Sequence, residues 1–105
     1  MRILLDEGVP DIIQERLTQF SITTVQELQW RGIKNGALLD LMAGRFEIII
    51  TTDKNLPFQQ NLTRRGLAAI ILPSNRIRIL KGIMTEIASA IDTIHPGEAV
   101  ELKPQ

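Results

Sequence analysis

Apolar residues along this chain fall into two patterns: short unbroken runs, and positions three or four residues apart. Ile3-Leu4-Leu5, Ile48-Ile49-Ile50-Thr51-Thr52 and the stretch from Leu67 to Leu72 are of the first kind. A run this short, apolar on every residue and rich in β-branched side chains, predicts a strand buried on both faces, the habit of parallel sheets. Ile22 to Val25 predicts a further short strand toward an edge, and Ala99 to Lys103 a final edge strand. Between these runs, Ile13, Leu17 and Phe20 recur at helical spacing and predict a helix from Pro10 to about Gln19. Asn35 is placed to cap a short helix whose Leu38, Leu41 and Met42 face the core and which Gly44 ends. Leu56 to Leu62 predicts one or two helical turns begun by Pro57, and Pro73 closes the third apolar run. Ser74 or Asn75 caps a last helix running to about Thr93, with Ile77, Leu80, Ile83, Met84, Ile87, Ala88, Ile91 and Ile94 over half its circumference. A stripe this wide reads first as a helix lying along a sheet. Its second reading is partial use in a homodimer or a partner interface.

The resulting order, βαβαβ(α)βαβ, predicts an α/β fold in which right-handed crossovers build a mainly parallel sheet covered on both faces. The 105 residues suit one domain, 1–105, with a single core. Lysine plus arginine and aspartate plus glutamate are each 12, so no global basic field argues for nucleic-acid binding, and any such binding must be local. The lack of cysteine removes disulfides, thiolate chemistry and thiolate zinc sites. Met1-Arg2 and three apolar residues before Asp6 do not read as a signal peptide, and no apolar stretch approaches the roughly 20 residues of a membrane span. The expectation is a soluble cytoplasmic domain with no membrane role.

Two of the buried runs stop on an acid, the first at Asp6 and the second at Asp53. In open α/β sheets ligands bind outside the carboxyl edge of the strands, so two such carboxylates would meet in one cleft. A hard cation, Mg2+ or Mn2+, takes oxygen ligands, usually one or two carboxylates plus waters, and can polarise a phosphoryl oxygen or activate water. The competing reading is that each acid only caps the turn that follows it. Glu7 points away from Asp6 unless the chain turns there, which Gly8 allows. Asn35 can offer a carbonyl oxygen to a cation or simply cap its helix, and Asn55 reads equally as an oxygen ligand or an Asx-turn residue. Asp40 lies away from the face of Asn35. Thr51, Thr52 and Gln59-Gln60-Asn61 offer donors suited to phosphate or sugar oxygens, and Arg31, Lys54, Arg64 and Arg65 a basic rim, against the simpler reading of solvated polar surface. Trp30 can stack on a base or plug the space beneath its loop. His95, the only histidine, has no partner in sequence and receives no catalytic role, and neither a Gly-rich phosphate loop nor a serine with a histidine partner is present.

Taken together, MRILLDEGVP, QWRGIKNGALLDLM and IIITTDKNLPFQQNL resemble the small PIN-like proteins of about this length, often found beside a small antitoxin. The resemblance runs from Met1 to about Asn75. It implies a three-layer α/β/α sandwich with a central, mainly parallel sheet of four to five strands. It also implies a metal-dependent endoribonuclease, the toxin of a toxin–antitoxin pair, with RNA as substrate and a small antitoxin protein as partner. Asp6 and Asp53 would be the metal ligands of that cluster, on Mg2+ or Mn2+, with Asn35 and Asn55 assisting in catalysis. Many members carry acids where this chain has Asn35 and Asn55, and an asparagine in place of Gly8. Each exchange of Asp for Asn removes one charge from a cation site and weakens binding there. Two rivals remain: a catalytically weak or dead PIN-like module that binds a partner protein, and a receiver-like phosphoacceptor domain. The second rests on Asp53 ending the third strand, Pro57 four residues on, and Lys103-Pro104 after the last strand.

Overall fold

The computed structural model describes residues 1–56 and 61–105. Its sheet is parallel throughout and contains β1 (Arg2–Leu5), β2 (Ser21–Thr24), β3 (Ile48–Thr51), β4 (Ala68–Ile71) and β5 (Ala99–Glu101) in the spatial order β2-β1-β3-β4-β5. Among the described residues the helices are α1 (Ile12–Arg16), α2 (Asn35–Met42), α3 (Leu62–Arg65), α4 (Ile77–Gly82) and α5 (Met84–Thr93). The α/β class and both edge strands follow the sequence pattern.

The unbroken apolar runs have a direct cause, because strand side chains alternate between two faces and each face has its own core. Ile3, Leu5, Ile48, Ile50, Ala68 and Ile70 pack on one side with Ile13 and Leu17 of the α1 region and with Leu80, Ile87 and Ile91 of α4 and α5. Leu4, Ile49, Ala69 and Ile71 pack on the other side with Leu38, Leu39 and Met42 of α2 and Leu62 of α3. The central strands β3 and β4 are buried at every position.

The two faces also fix the relative hand of the connections. From β3 to β4 the chain steps outward over the α2 face, whereas from β4 to β5 it steps in the same direction over the α1 face. Those two crossovers therefore have opposite hands. The β1–β2, β2–β3 and β3–β4 connections share one hand, which the general rule, obeyed in about 98% of cases, makes right-handed. The β4–β5 connection is then left-handed, a departure from the expectation of uniform right-handed crossovers.

Local departures have local reasons. The first helix covers Ile12–Arg16 rather than Pro10 to Gln19, because Leu17 leaves helical geometry at φ −99°, ψ 60° and the chain turns directly into β2. In α2 the core takes Leu38, Leu39 and Met42, while Leu41 is 39% exposed, so the helix is rotated from the expected Leu38-Leu41-Met42 face. The long last helix is broken into α4 and α5 at Ile83 (φ −123°, ψ 21°), directly after Gly82, a weak helix former. Ile77 is left 49% exposed by this arrangement, whereas Leu80, Ile83, Ile87 and Ile91 lie on the first core. The turns expected from Leu56 to Leu62 fall partly outside the described residues. Beyond them Asn61 caps α3, its side-chain oxygen accepting the Arg64 N–H at 2.9 Å.

Candidate functional site

The chain reverses its direction of travel across the sheet between β1 and β3, which are adjacent in space but separated in sequence by β2 at the far edge. A crevice opens at such a switch point outside the carboxyl ends of the two strands. Asp6 directly follows β1, its N–H donating to the Ile50 carbonyl at 2.9 Å, and Asp53 lies two residues beyond β3. Both carboxylates expected from the sequence are therefore at one edge.

Thr51 ties them together. It is 1% exposed, and its hydroxyl donates to Asp6 Oδ2 at 2.7 Å while accepting the Asp53 N–H at 3.0 Å. Its single O–H donor is committed to Asp6, which leaves none for a phosphate oxygen, so Thr51 acts on the segments that carry the acids. Sequence reasoning noted the hydroxyl but not this role; its signal was the position two residues before Asp53, on the face that β1 neighbours.

Asn35 opens α2, and its side-chain NH2 donates to Asp53 Oδ2 at 2.7 Å. It is not the helix cap. Lys34 occupies that position, in extended geometry and without a capping side chain. The other Asp53 oxygen, Oδ1, accepts the Asn55 N–H at 3.0 Å, an Asx turn, while the exposed Asn55 side chain makes no hydrogen bond among the described residues. Glu7 is brought in by a turn at Gly8, where φ is +87°, a backbone conformation glycine tolerates without strain. Its Oε1 accepts the Gly32 N–H at 2.7 Å, pinning the 30–34 loop that leads into α2. Asp6, Glu7 and the segment 32–36 line an open cleft of about 510 Å³. Lys34 belongs to that lining and was not among the residues singled out by sequence.

Burial raises the Asp6 carboxyl above its ordinary value, and the nearby charges of Asp53 and Glu7 act in the same direction. The Thr51 hydroxyl and the Glu7 N–H, which donates to Asp6 Oδ1 at 2.8 Å, oppose that rise. An acid held this way gains from a cation beside it, since the positive charge offsets both burial and repulsion.

The other candidates lie elsewhere or do other work. Arg65 pairs with Asp40 at 2.8 Å, and with Arg64 it sits at the end of α3 that leads into β4, at the opposite edge of the sheet from the acids. Lys54 approaches Glu101 at 3.9 Å. Trp30 plugs the space beneath its loop, edge-on to Phe46 with ring centroids 6.2 Å apart and the Arg45 guanidinium 5.1 Å from its own ring centroid. Asn61 caps α3, while Gln59 and Gln60 lie outside the described residues. His95 is exposed beyond α5, at the edge where β5 begins.

Among the described residues no group of three or more His, Cys, Asp or Glu is arranged to hold a metal ion. What the site offers is hard oxygen donors alone: two carboxylates, with Glu7 and an asparagine amide nearby. Oxygen donors of this kind suit a small hard cation that keeps several waters, and the set holds neither the histidine nor the cysteine that zinc sites usually use. Comparison with family models, with curated proteins and with solved structures finds no match for this chain. The class that fold and site define is a parallel α/β domain with an acid pair at its switch point.

Proposed function

We propose that this protein is a metal-dependent phosphodiesterase of the PIN-like type, acting on RNA, with Asp6 and Asp53 as the ligands of Mg2+ or Mn2+. The observation that carries the reading is the Asp6–Thr51–Asp53 linkage at the switch point: one buried hydroxyl holds the carboxylate of Asp6 and the backbone N–H of Asp53, while Asn35 and the Asn55 N–H hold the Asp53 carboxylate. A bound cation would supply an activated water and charge stabilisation on the phosphoryl oxygens. The protein's own residues do the positioning. Thr51 fixes one oxygen of Asp6, Asn35 fixes one oxygen of Asp53, and Glu7 holds the 30–34 loop so that Lys34 stands at the cleft. A lysine there can attract the anionic substrate and offset its charge. Asn55 enters through its backbone, as the turn that orients Asp53. A small antitoxin as partner, with this chain as the toxin, remains part of the proposal on the resemblance alone.

The test is cleavage of a labelled single-stranded RNA in Mn2+ and in EDTA. Cleavage in Mn2+ that is lost in EDTA and falls at least about 100-fold in Asp6→Ala and Asp53→Ala is expected, each variant losing a ligand of the group that activates water. Equal rates in wild type and variants would exclude these residues.

The strand order carries a second reading. The order 2-1-3-4-5 is also that of receiver-like domains, which place an aspartate at the end of the third strand. Against it stands the β4–β5 connection, which crosses on the opposite face from its right-handed neighbours. Acetyl phosphate separates the two: a mass gain lost in Asp53→Ala supports the receiver reading, and an unchanged mass supports the nuclease.

A further inference from the structure

Charge is unevenly distributed along this neutral chain. Between Asp53 and Glu86 there are six basic residues and no acidic one, so half of the 12 cations stand in one acid-free segment. The fold divides them: Lys54 stands next to Asp53 and 3.9 Å from Glu101, and the other five separate into two groups. Arg64 and Arg65 go to the far edge of the sheet, where Arg65 is spent on Asp40. Arg76, Arg78 and Lys81 go to the near side: the chain leaves β4 at its carboxyl end, one strand from β3 and Asp53, and enters α4 at once. All three are exposed and make no ion pair among the described residues. Arg78 and Lys81 are three apart on α4 and share a face, since helix residues at that spacing are neighbours. Ile77, 49% exposed, precedes Arg78 and stands four residues before Lys81, while Leu80 is buried and anchors the helix to the first core.

We infer that Arg76, Arg78 and Lys81, with Ile77 between them, form the track that holds the phosphodiester backbone of a single-stranded RNA leading away from the Asp6–Asp53 site. This rests on the nuclease reading for its direction, but its chemistry is independent of any metal. Unpaired guanidinium and ammonium groups that follow the carboxyl end of β4, on the face of the sheet opposite α2, complement a polyanion, and guanidinium groups match phosphate geometry. Exposed apolar surface between cations gives the sugar and base edges a place to pack. An acidic protein would be drawn to the same charges, yet the position one strand from the acid pair favours the substrate backbone.

The test is binding of a short fluorescent single-stranded RNA to the whole protein in EDTA, followed by anisotropy over a range of salt concentrations. The variants are Arg78→Gln with Lys81→Gln, and Arg64→Gln as a control on the opposite edge. Neutralising two phosphate contacts is expected to weaken binding roughly tenfold or more and to lower the slope of log K against log salt by about 1.4. Arg64→Gln is expected to bind as the wild type does. The inference is overturned if the double variant binds unchanged, if Arg64→Gln weakens binding as much, or if the wild type binds no RNA at low salt, the result expected of an acidic-protein surface. Because no metal takes part, RNA binding that depends on Arg78 and Lys81 would sustain the track even if the wild type showed no response to Mn2+, and only the nuclease reading would fall.

Discussion

At the scale of single residues the site is defined by what Thr51 and Asn35 do to two aspartates. Thr51→Val keeps the shape of the side chain but removes the hydroxyl, leaving Asp6 Oδ2 and the Asp53 N–H without their partner. A loss of about 1–2 kcal/mol in urea unfolding is expected, with a weaker Mn2+ response, and Thr51→Ser should restore both. Asn35→Asp would put two carboxylate oxygens where a hydrogen bond of 2.7 Å now stands. Without metal that exchange should lower the melting temperature, and with Mn2+ it should tighten binding by about tenfold, as added ligand charge strengthens a hard-cation site. Asp6 gives a pH prediction. Its carboxyl is raised by burial, so the folded protein retains that proton at pH values where the unfolded chain has lost it. Stability contributed at this residue is therefore present at low pH and is lost as pH rises through the raised value. Asp6→Asn should raise the melting temperature at neutral pH and leave it little changed near pH 3, in scans at both pH values. Asp6 and Asp53 were legible as strand-ending acids, and Asn35 and Asn55 as polar neighbours. The division of labour was not, because it depends on which of two adjacent loop residues points inward.

Secondary-structure elements repeat this lesson. The buried strands were plain in the sequence, since a parallel sheet between two helical layers requires apolar residues at every strand position. Helix faces were less so. In α2, Leu38, Leu39, Leu41 and Met42 satisfy two rotations of the helical wheel, and the packing chose Leu39 over Leu41. Leu39→Ala should cost about 2–5 kcal/mol in denaturant unfolding, whereas Leu41→Ala, on a 39% exposed residue, should cost under about 1 kcal/mol. The break between α4 and α5 was hidden by the continuous stripe from Leu80 to Ile94, to which both helices contribute. Its mark was Gly82, followed by Ile83, which buries its side chain outside helical geometry. Nothing in the local pattern distinguishes a left-handed from a right-handed connection, because the same amphipathic helix can lie on either face.

The whole molecule combines a neutral surface, a crevice at the point where strand order reverses, and an acid-free segment that carries half of the cations. The first two follow from the sequence by composition and by the general behaviour of parallel sheets. The third needed the fold, which sends Arg64 and Arg65 to one edge and Arg76, Arg78 and Lys81 to the other. The central claim is that Asp6 and Asp53 together hold a divalent cation. The direct measurement is a Mn2+ titration followed through the backbone amide signals of the isotopically labelled protein. The account predicts broadening centred on Asp6, Asp53 and Asn35 at sub-millimolar Mn2+ and abolished in Asp53→Ala. Uniform signals up to several millimolar Mn2+, or broadening that persists unchanged in Asp53→Ala, would contradict it.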